Sequence, residues 1–217
     1  MNFCFKRGHL LYCTKRMAKK GRFFMKPKKW ISVIFVLAGA IFVGIGIWQI
    51  VSGKMQTEAT LKKAKSIVQA EPKQVQKESS AQSQPPAVGN AIGILDIPKI
   101  QAELPIVEGT DQDDLEKGVG HYKGSSLPKE NGQIVLSGHR DSVFRRLGEL
   151  KIGDPLTVKV KNGSQTYKIT NTKIVNSDDK TIITLQKNKE ELILTTCYPF
   201  RYVGNAPQRY IVYALPN

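Results

Sequence analysis

The chain has 217 residues, enough for one domain of ordinary size with appendages, and its 41% hydrophobic content suffices for a packed core. The formal net charge of +15 is unevenly spread: residues 1–30 hold ten Lys or Arg and no acid, while residues 52–217 carry 23 basic against 18 acidic residues. A nucleic-acid binder concentrates basic surface on its folded part, so this distribution argues against that class.

Residues 1–30 read as a basic tail. Met17 is an alternative start to Met1, and Cys4, His9 and Cys13 read as tail residues rather than as a metal or acylation site. The uncharged run ISVIFVLAGAIFVGIGIWQIV follows at 31–51. As a helix it spans roughly 31 Å, the thickness of a bilayer's hydrocarbon core. Trp30 and Trp48 lie near its ends, where amphipathic rings favour the interface. Residues 12–30 hold eight Lys or Arg and residues 52–70 hold four, so the positive-inside bias predicts a cytoplasmic N-terminus and an extracellular C-terminal domain. The run is long for the apolar part of a cleaved signal and no clear small-x-small site follows it, which favours an uncleaved single-pass anchor.

Residues 52–90 read as a flexible extracellular linker, because EPKQVQKESSAQSQPPAVGN at 71–90 has only Val75 and Val88 as large apolar residues. The part around Leu61 to Val68 could form a short helix, but its apolar spacing is poor. From Ala91 the pattern changes to short apolar runs: Ile92–Ile97, Leu104–Val107, Gln133–Ser137, Leu156–Lys161, Thr166–Val175, Leu192–Thr196 and Arg209–Leu215. Asn162-Gly163 between two of them is a hairpin signal, and Asp111 is placed to cap a short helix that ends at Gly118. Strands at short intervals with little helix predict an all-β barrel or sandwich over 91–217.

Cys197 is the one cysteine of that domain. An unpaired cysteine is either a small buried residue or a reactive thiol. Pro199 just beyond it predicts a position at a sheet rim. Nucleophilic catalysis also requires a proton-transfer partner and an oxyanion donor, and the domain offers His121, His139 and Arg209. Spacing alone does not bring them together. Asp178-Asp179 is too sparse a signal for calcium, so no metal or other cofactor is predicted.

Ile193-Leu194-Thr195-Thr196-Cys197 resembles the TLxTC signature of sortases, with Ile193 where the signature usually has Thr. Leu136-Ser137-Gly138-His139-Arg140-Asp141 resembles the segment bearing their catalytic histidine, and Ala206-Pro207-Gln208-Arg209-Tyr210-Ile211-Val212 the segment bearing their catalytic arginine. With Cys197-Tyr198-Pro199-Phe200, Gly204 and Gly120-His121-Tyr122, residues 91–217 are most similar to class D sortases of Gram-positive bacteria. The resemblance implies a closed eight-stranded β-barrel with short helices. It implies a cysteine transpeptidase with Cys197 as nucleophile, His139 as proton donor and acceptor, and Arg209 as a donor to substrate or oxyanion. The implied partners are LPxTG-like sorting signals of surface proteins and an amine of the peptidoglycan cross-bridge. Thr196 and His121 are expected beside the substrate, His121 with an alternative reading as a loop histidine bonded to backbone. Arg140 and Asp141 are expected to form a surface pair or to orient their loop. A hydrolase using the same three residues and a non-catalytic tethered barrel remain as alternatives.

Overall fold

The computed structural model describes residues 4–7, 10–13, 27–69, 86–202 and 204–217, so the candidate start Met17 and His9 lie outside the described residues. The chain divides into two compact units, 1–47 and 48–217. In the first, β1 (Cys4–Arg7) pairs antiparallel with β2 (Leu10–Cys13). The helix α1 (Pro27–Gln69) starts at a proline, whose fixed φ suits a first helical position. Its apolar stretch is long enough to cross a membrane, and its large side chains, such as Phe35, Phe42 and Ile50, are exposed.

α1 does not end where the apolar run ends. Residues 52–69 of the expected linker are helical, which corrects the reading of that part as flexible chain. The reason is packing. Ala64 is fully buried against Ala91 and Ile94, with Leu61, Ile67 and Val68 beside it, a helical stripe one residue wide. Lys65 pairs with Glu103, and the Thr57 hydroxyl donates to Glu116 O.

The second unit is built on a closed barrel of eight strands. In chain order these are β3 (Ala91–Ile97), β4 (Ala102–Glu108), β5 (Val119–His121), β6 (Gln133–Gly138), β7 (Pro155–Val160), β8 (Gly163–Asn176), β9 (Glu191–Tyr198) and β10 (Gln208–Pro216). Around the barrel they run β10-β8-β7-β3-β4-β5-β6-β9, with β9 also paired to β10. The β4–β5 and β6–β9 pairs are parallel and the others antiparallel. The short helix α2 (Gln112–Lys117) crosses from β4 to β5 between Asp111 and Gly118, the expected bounds, although the Asp111 side chain makes no capping hydrogen bond. The two-residue turn Lys161-Asn162 joins β7 to β8, one residue earlier than the Asn162-Gly163 signal, and Gly163 opens β8 at φ +128°, a conformation that suits glycine.

Period-two alternation fills the barrel. On β9, Leu192 and Leu194 face inward and meet Leu136, Ile134, Val212 and Ala214. Tyr167 and Ile169 of β8 join them, and Phe144, Leu147 and Leu150 close one end. The opposite face of the same strands carries a second cluster, in which Ile193 of β9 and Ile211 of β10 meet Val175 of β8 and Ile182 of the 177–190 loop. Val175 reaches that face because of a β-bulge: the β8–β10 register slips between Tyr213 and Ala214, and one extra residue reverses the parity of β8 beyond it. This outer face, partly covered by the loop, is where the candidate site lies.

Candidate active site

Cys197 is the penultimate residue of β9, ahead of the Tyr198-Pro199 pair that ends the strand, and is partly exposed. Alternation sets it on the same side as Thr195 and Ile193 and opposite to Leu194. Arg209, second residue of β10, is its direct partner across the antiparallel pair, and Val175 flanks Arg209 on the other side. His139 comes from a third strand. It follows directly on β6, whose last residue Gly138 lies beside Thr196 of β9. Gly138 has to be glycine here, since a Cβ would stand 2.6 Å from the ring of the buried Phe144. The His139 carbonyl accepts from Phe144 N at 3.0 Å and Ser142 N at 3.4 Å, so the turn that seats Phe144 in the core also fixes the histidine backbone.

The side chains of His139, Cys197 and Arg209 line one groove of about 380 Å³. Its other walls include Tyr122, Leu115, Val175, Ile182, Ile183 and Ile211, an apolar bed beside three polar groups. Neither the imidazole nor the thiol is hydrogen-bonded to another described residue, which leaves both open to a substrate. One Arg209 nitrogen donates to Ala206 O at 3.2 Å and Gln208 O at 3.0 Å. Those bonds aim the guanidinium, and among the described residues no carboxylate pairs with it, so its other N–H groups and its charge remain for a ligand.

Thr196 also lines the groove, but only 3% of it is exposed, and its hydroxyl donates to Gly138 O at 2.7 Å. It ties β9 to the end of β6, just before His139. His121, expected beside the substrate, is not among the groove-lining residues, which corrects that expectation. It is 3% exposed at the end of β5, a strand the sequence reading treated as a loop. Its Nδ1 donates to Glu108 Oε2 at 2.7 Å, and Nε2 faces Ser125 Oγ at 2.9 Å and Ser126 O at 3.1 Å. A buried ring with a partner on each nitrogen is a cross-tie between β4, β5 and the following loop.

Arg140 forms no surface pair with Asp141. It donates to Pro199 O and Gly204 O, at 3.3 and 2.8 Å, and its guanidinium lies over Tyr202. It thereby ties the β9–β10 loop to the segment that carries His139. The same end of the barrel is closed by mutually contacting rings of Tyr198, Phe200 and Tyr210. Asp179 lies on the groove wall as a turn residue: its carboxylate accepts from the Thr181 amide and hydroxyl, and those bonds hold its pKa below the ordinary carboxylate value. Among the described residues no group of three or more His, Cys, Asp or Glu side chains could hold a metal. The groove residues Thr110 and Ile183 had no local signal in the sequence, whereas Tyr122 belongs to the Gly120-His121-Tyr122 segment.

Residues 95–217 match the Sortase domain family. The chain is 57% identical over 193 residues to sortase D of Bacillus subtilis, covering 86% of this chain and 97% of that one. Among solved structures it is similar to a Clostridium perfringens sortase D5 transpeptidase, with a TM-score of 0.62 and 25% identity over 75% of this chain and 99% of that one. The catalytic domain of Bacillus anthracis SrtD is 40% identical with a TM-score of 0.53, over 65% of this chain and 96% of that one. The eight-stranded closed barrel, the sequence match across it and the relatives at high coverage agree, and the chain belongs to the sortase family of cysteine transpeptidases, with class D members among its relatives.

Proposed function

We propose that the protein cleaves an LPxTG-like sorting signal after its threonine and joins the surface protein to an amine of the peptidoglycan cross-bridge. The observation that carries this reading is the register pairing of Cys197 with Arg209 in a groove that His139 also lines. In the first step the Cys197 thiolate attacks the threonine carbonyl carbon. The C–N bond breaks, protonated His139 gives its proton to the leaving amine, and a thioester to Sγ remains. In the second step an incoming amine gives a proton to His139 and attacks the thioester, and the thiolate leaves. Arg209 donates to the carbonyl oxygen while it carries negative charge, the role that an unpaired guanidinium at the groove supports. The apolar walls suit the leucine and proline of the signal.

The helix α1 would hold the enzyme in the membrane as a single-pass protein with its N-terminus in the cytoplasm and residues 91–217 outside, an orientation that the excess of basic residues before the apolar run supports. Incubating the protein with LPxTG-like peptides, followed by mass spectrometry, tests the reading. The expected product is an acyl adduct on Cys197 that an added amine resolves, and that Cys197→Ala lacks. Release of free acid alone, with the amine ignored, would identify a hydrolase. Absence of any adduct on any such peptide would sink the reading.

A further inference from the structure

We infer that Gln133 is a positioning residue for the substrate groove: its buried carboxamide holds the 177–190 loop in the shape that gives the groove its Ile182–Ile183 wall. This deepens the function proposed above and rests on it for the identity of the ligand.

Gln133 opens β6 and is 3% exposed. Its Oε1 accepts from Thr184 N at 2.9 Å and Leu185 N at 3.2 Å. Its Nε2 donates to Ile182 O at 3.1 Å and to Glu191 Oε2 at 3.4 Å. Both acceptor sites and both donors of one amide are therefore used, three of them on consecutive parts of a single loop. The backbone adds a fifth tie, Gln133 N to Gln186 O at 2.9 Å. The bonds to residues 182, 184 and 185 bracket Ile183, and both Ile182 and Ile183 line the groove.

This loop has no strand or helix of its own between β8 and β9, so its backbone polar groups have no ladder to join. Leu185 also adopts φ +52°, a left-handed conformation that a branched side chain holds only when its surroundings require it. The Gln133 oxygen bonds the amide of that very residue. A carboxylate in its place would keep the two acceptor bonds and face Ile182 O and Glu191 with lone pairs. A leucine would make none of the four bonds and leave loop groups unpaired. Nearby contacts hold the same segment: Lys187 donates to Ser126 Oγ at 2.9 Å, and Gly132, at φ +140°, leaves no room for a Cβ beside Ser126 and Gln186 O.

Gln133 and His139 lie at opposite ends of β6. At about 3.3 Å per residue the strand separates them by roughly 20 Å. The effect of Gln133 is thus on ligand binding rather than on the thiol or the imidazole.

The test compares wild-type protein with Gln133→Leu and Gln133→Glu, full length in detergent, using an LPxTG-like peptide, iodoacetamide and amide hydrogen exchange. The Leu variant is expected to raise KM roughly tenfold or more while kcat and the rate of Cys197 alkylation stay within about twofold. Exchange at Thr184 and Leu185 should accelerate. The Glu variant, which keeps the acceptor bonds, should show an intermediate KM. An unchanged KM in the folded Leu variant overturns the inference, as does a parallel fall in kcat and alkylation, which would mark general loss of structure. Should the Leu variant not fold, the Glu variant decides by the same split: raised KM with kcat retained supports the inference, and an unchanged KM overturns it. Wild-type protein that does not turn over the peptide would refute the proposed function instead. The exchange data then decide alone, with unaltered protection at Thr184 and Leu185 in a variant counting against Gln133.

Discussion

Arg209 stands directly opposite Cys197 across the β9–β10 pair, so the guanidinium and the thiol are set on one face of the sheet by strand register alone. Side chains that oppose each other in an antiparallel pair have Cβ atoms about 4.5–5.5 Å apart. The pairing needs no loop to maintain it. An Arg209→Lys variant keeps the charge and loses the planar fork. Its kcat/KM on an LPxTG-like peptide is expected to fall about 10²–10³-fold, the loss typical of one oxyanion donor, with little change in melting temperature. Wild-type turnover would remove Arg209 from the reaction.

Thr196→Val tests the clamp between β9 and β6. Valine has nearly the same shape but leaves Gly138 O without its hydroxyl partner. A buried group so deprived costs about 1–3 kcal/mol, measurable by urea unfolding. Because Gly138 precedes His139, kcat should fall with stability, whereas loss of stability at constant kcat would confine Thr196 to a packing role.

His121→Ala should destabilise the protein without disabling the thiol. Removing the imidazole leaves the buried Glu108 side chain without its hydrogen-bond partner, a change that costs about 1–3 kcal/mol. Iodoacetamide should still alkylate Cys197 at the wild-type rate at temperatures where the variant is folded. A specific loss of peptide turnover at full stability would return His121 to the substrate site.

Alkaline stability depends on Tyr167. Burial, and then the hydrogen bond to Glu190, raise its pKa far above the ordinary phenol value. In the unfolded chain the phenol ionises near about pH 10, so above that pH the unfolded state sheds a proton that the folded state keeps. The stability gained from the raised pKa is therefore complete below about pH 10 and declines as pH rises beyond it. Tyr213, also raised chiefly by burial, acts in the same direction. Melting curves from pH 8 to pH 11 should slope less steeply for Tyr167→Phe than for wild type, although the variant starts lower. Parallel slopes would contradict the argument.

Ala64→Glu tests the docking of the C-terminal part of α1. Ala64 has no exposed surface against Ala91 and Ile94, so a longer charged side chain has to displace the helix or the strand. A loss of about 1–3 kcal/mol is expected by thermal or urea unfolding. No loss would indicate that this part of the chain does not pack on the barrel in solution.

Much of this was legible in one dimension. The apolar run, its basic flank, the alternating strands, the Asn-Gly hairpin and the three site motifs depend on local periodicity and short-range chemistry, and each occupies neighbouring positions in the chain. What was hidden depends on partners distant in sequence. The stripe of Leu61, Ala64 and Val68 is too thin to stand out among lysines until β3 supplies its surface. His121 resembles a loop residue among glycines, since β5 is three residues long and exists by pairing with β4 and β6.

Sequence by itself determined which residues carry reactive groups and, β5 apart, where the strands lie, because residue identity and the two-residue alternation of apolar side chains are local properties. Only the tertiary structure decided which of them share a surface. Barrel closure sets Arg209 opposite Cys197 and delivers His139 beside them, the bulge in β8 turns Val175 toward the groove, and one buried amide shapes a loop some fifty residues away. These are consequences of register and hydrogen-bond pairing between strands, and they come into being when the sheet closes.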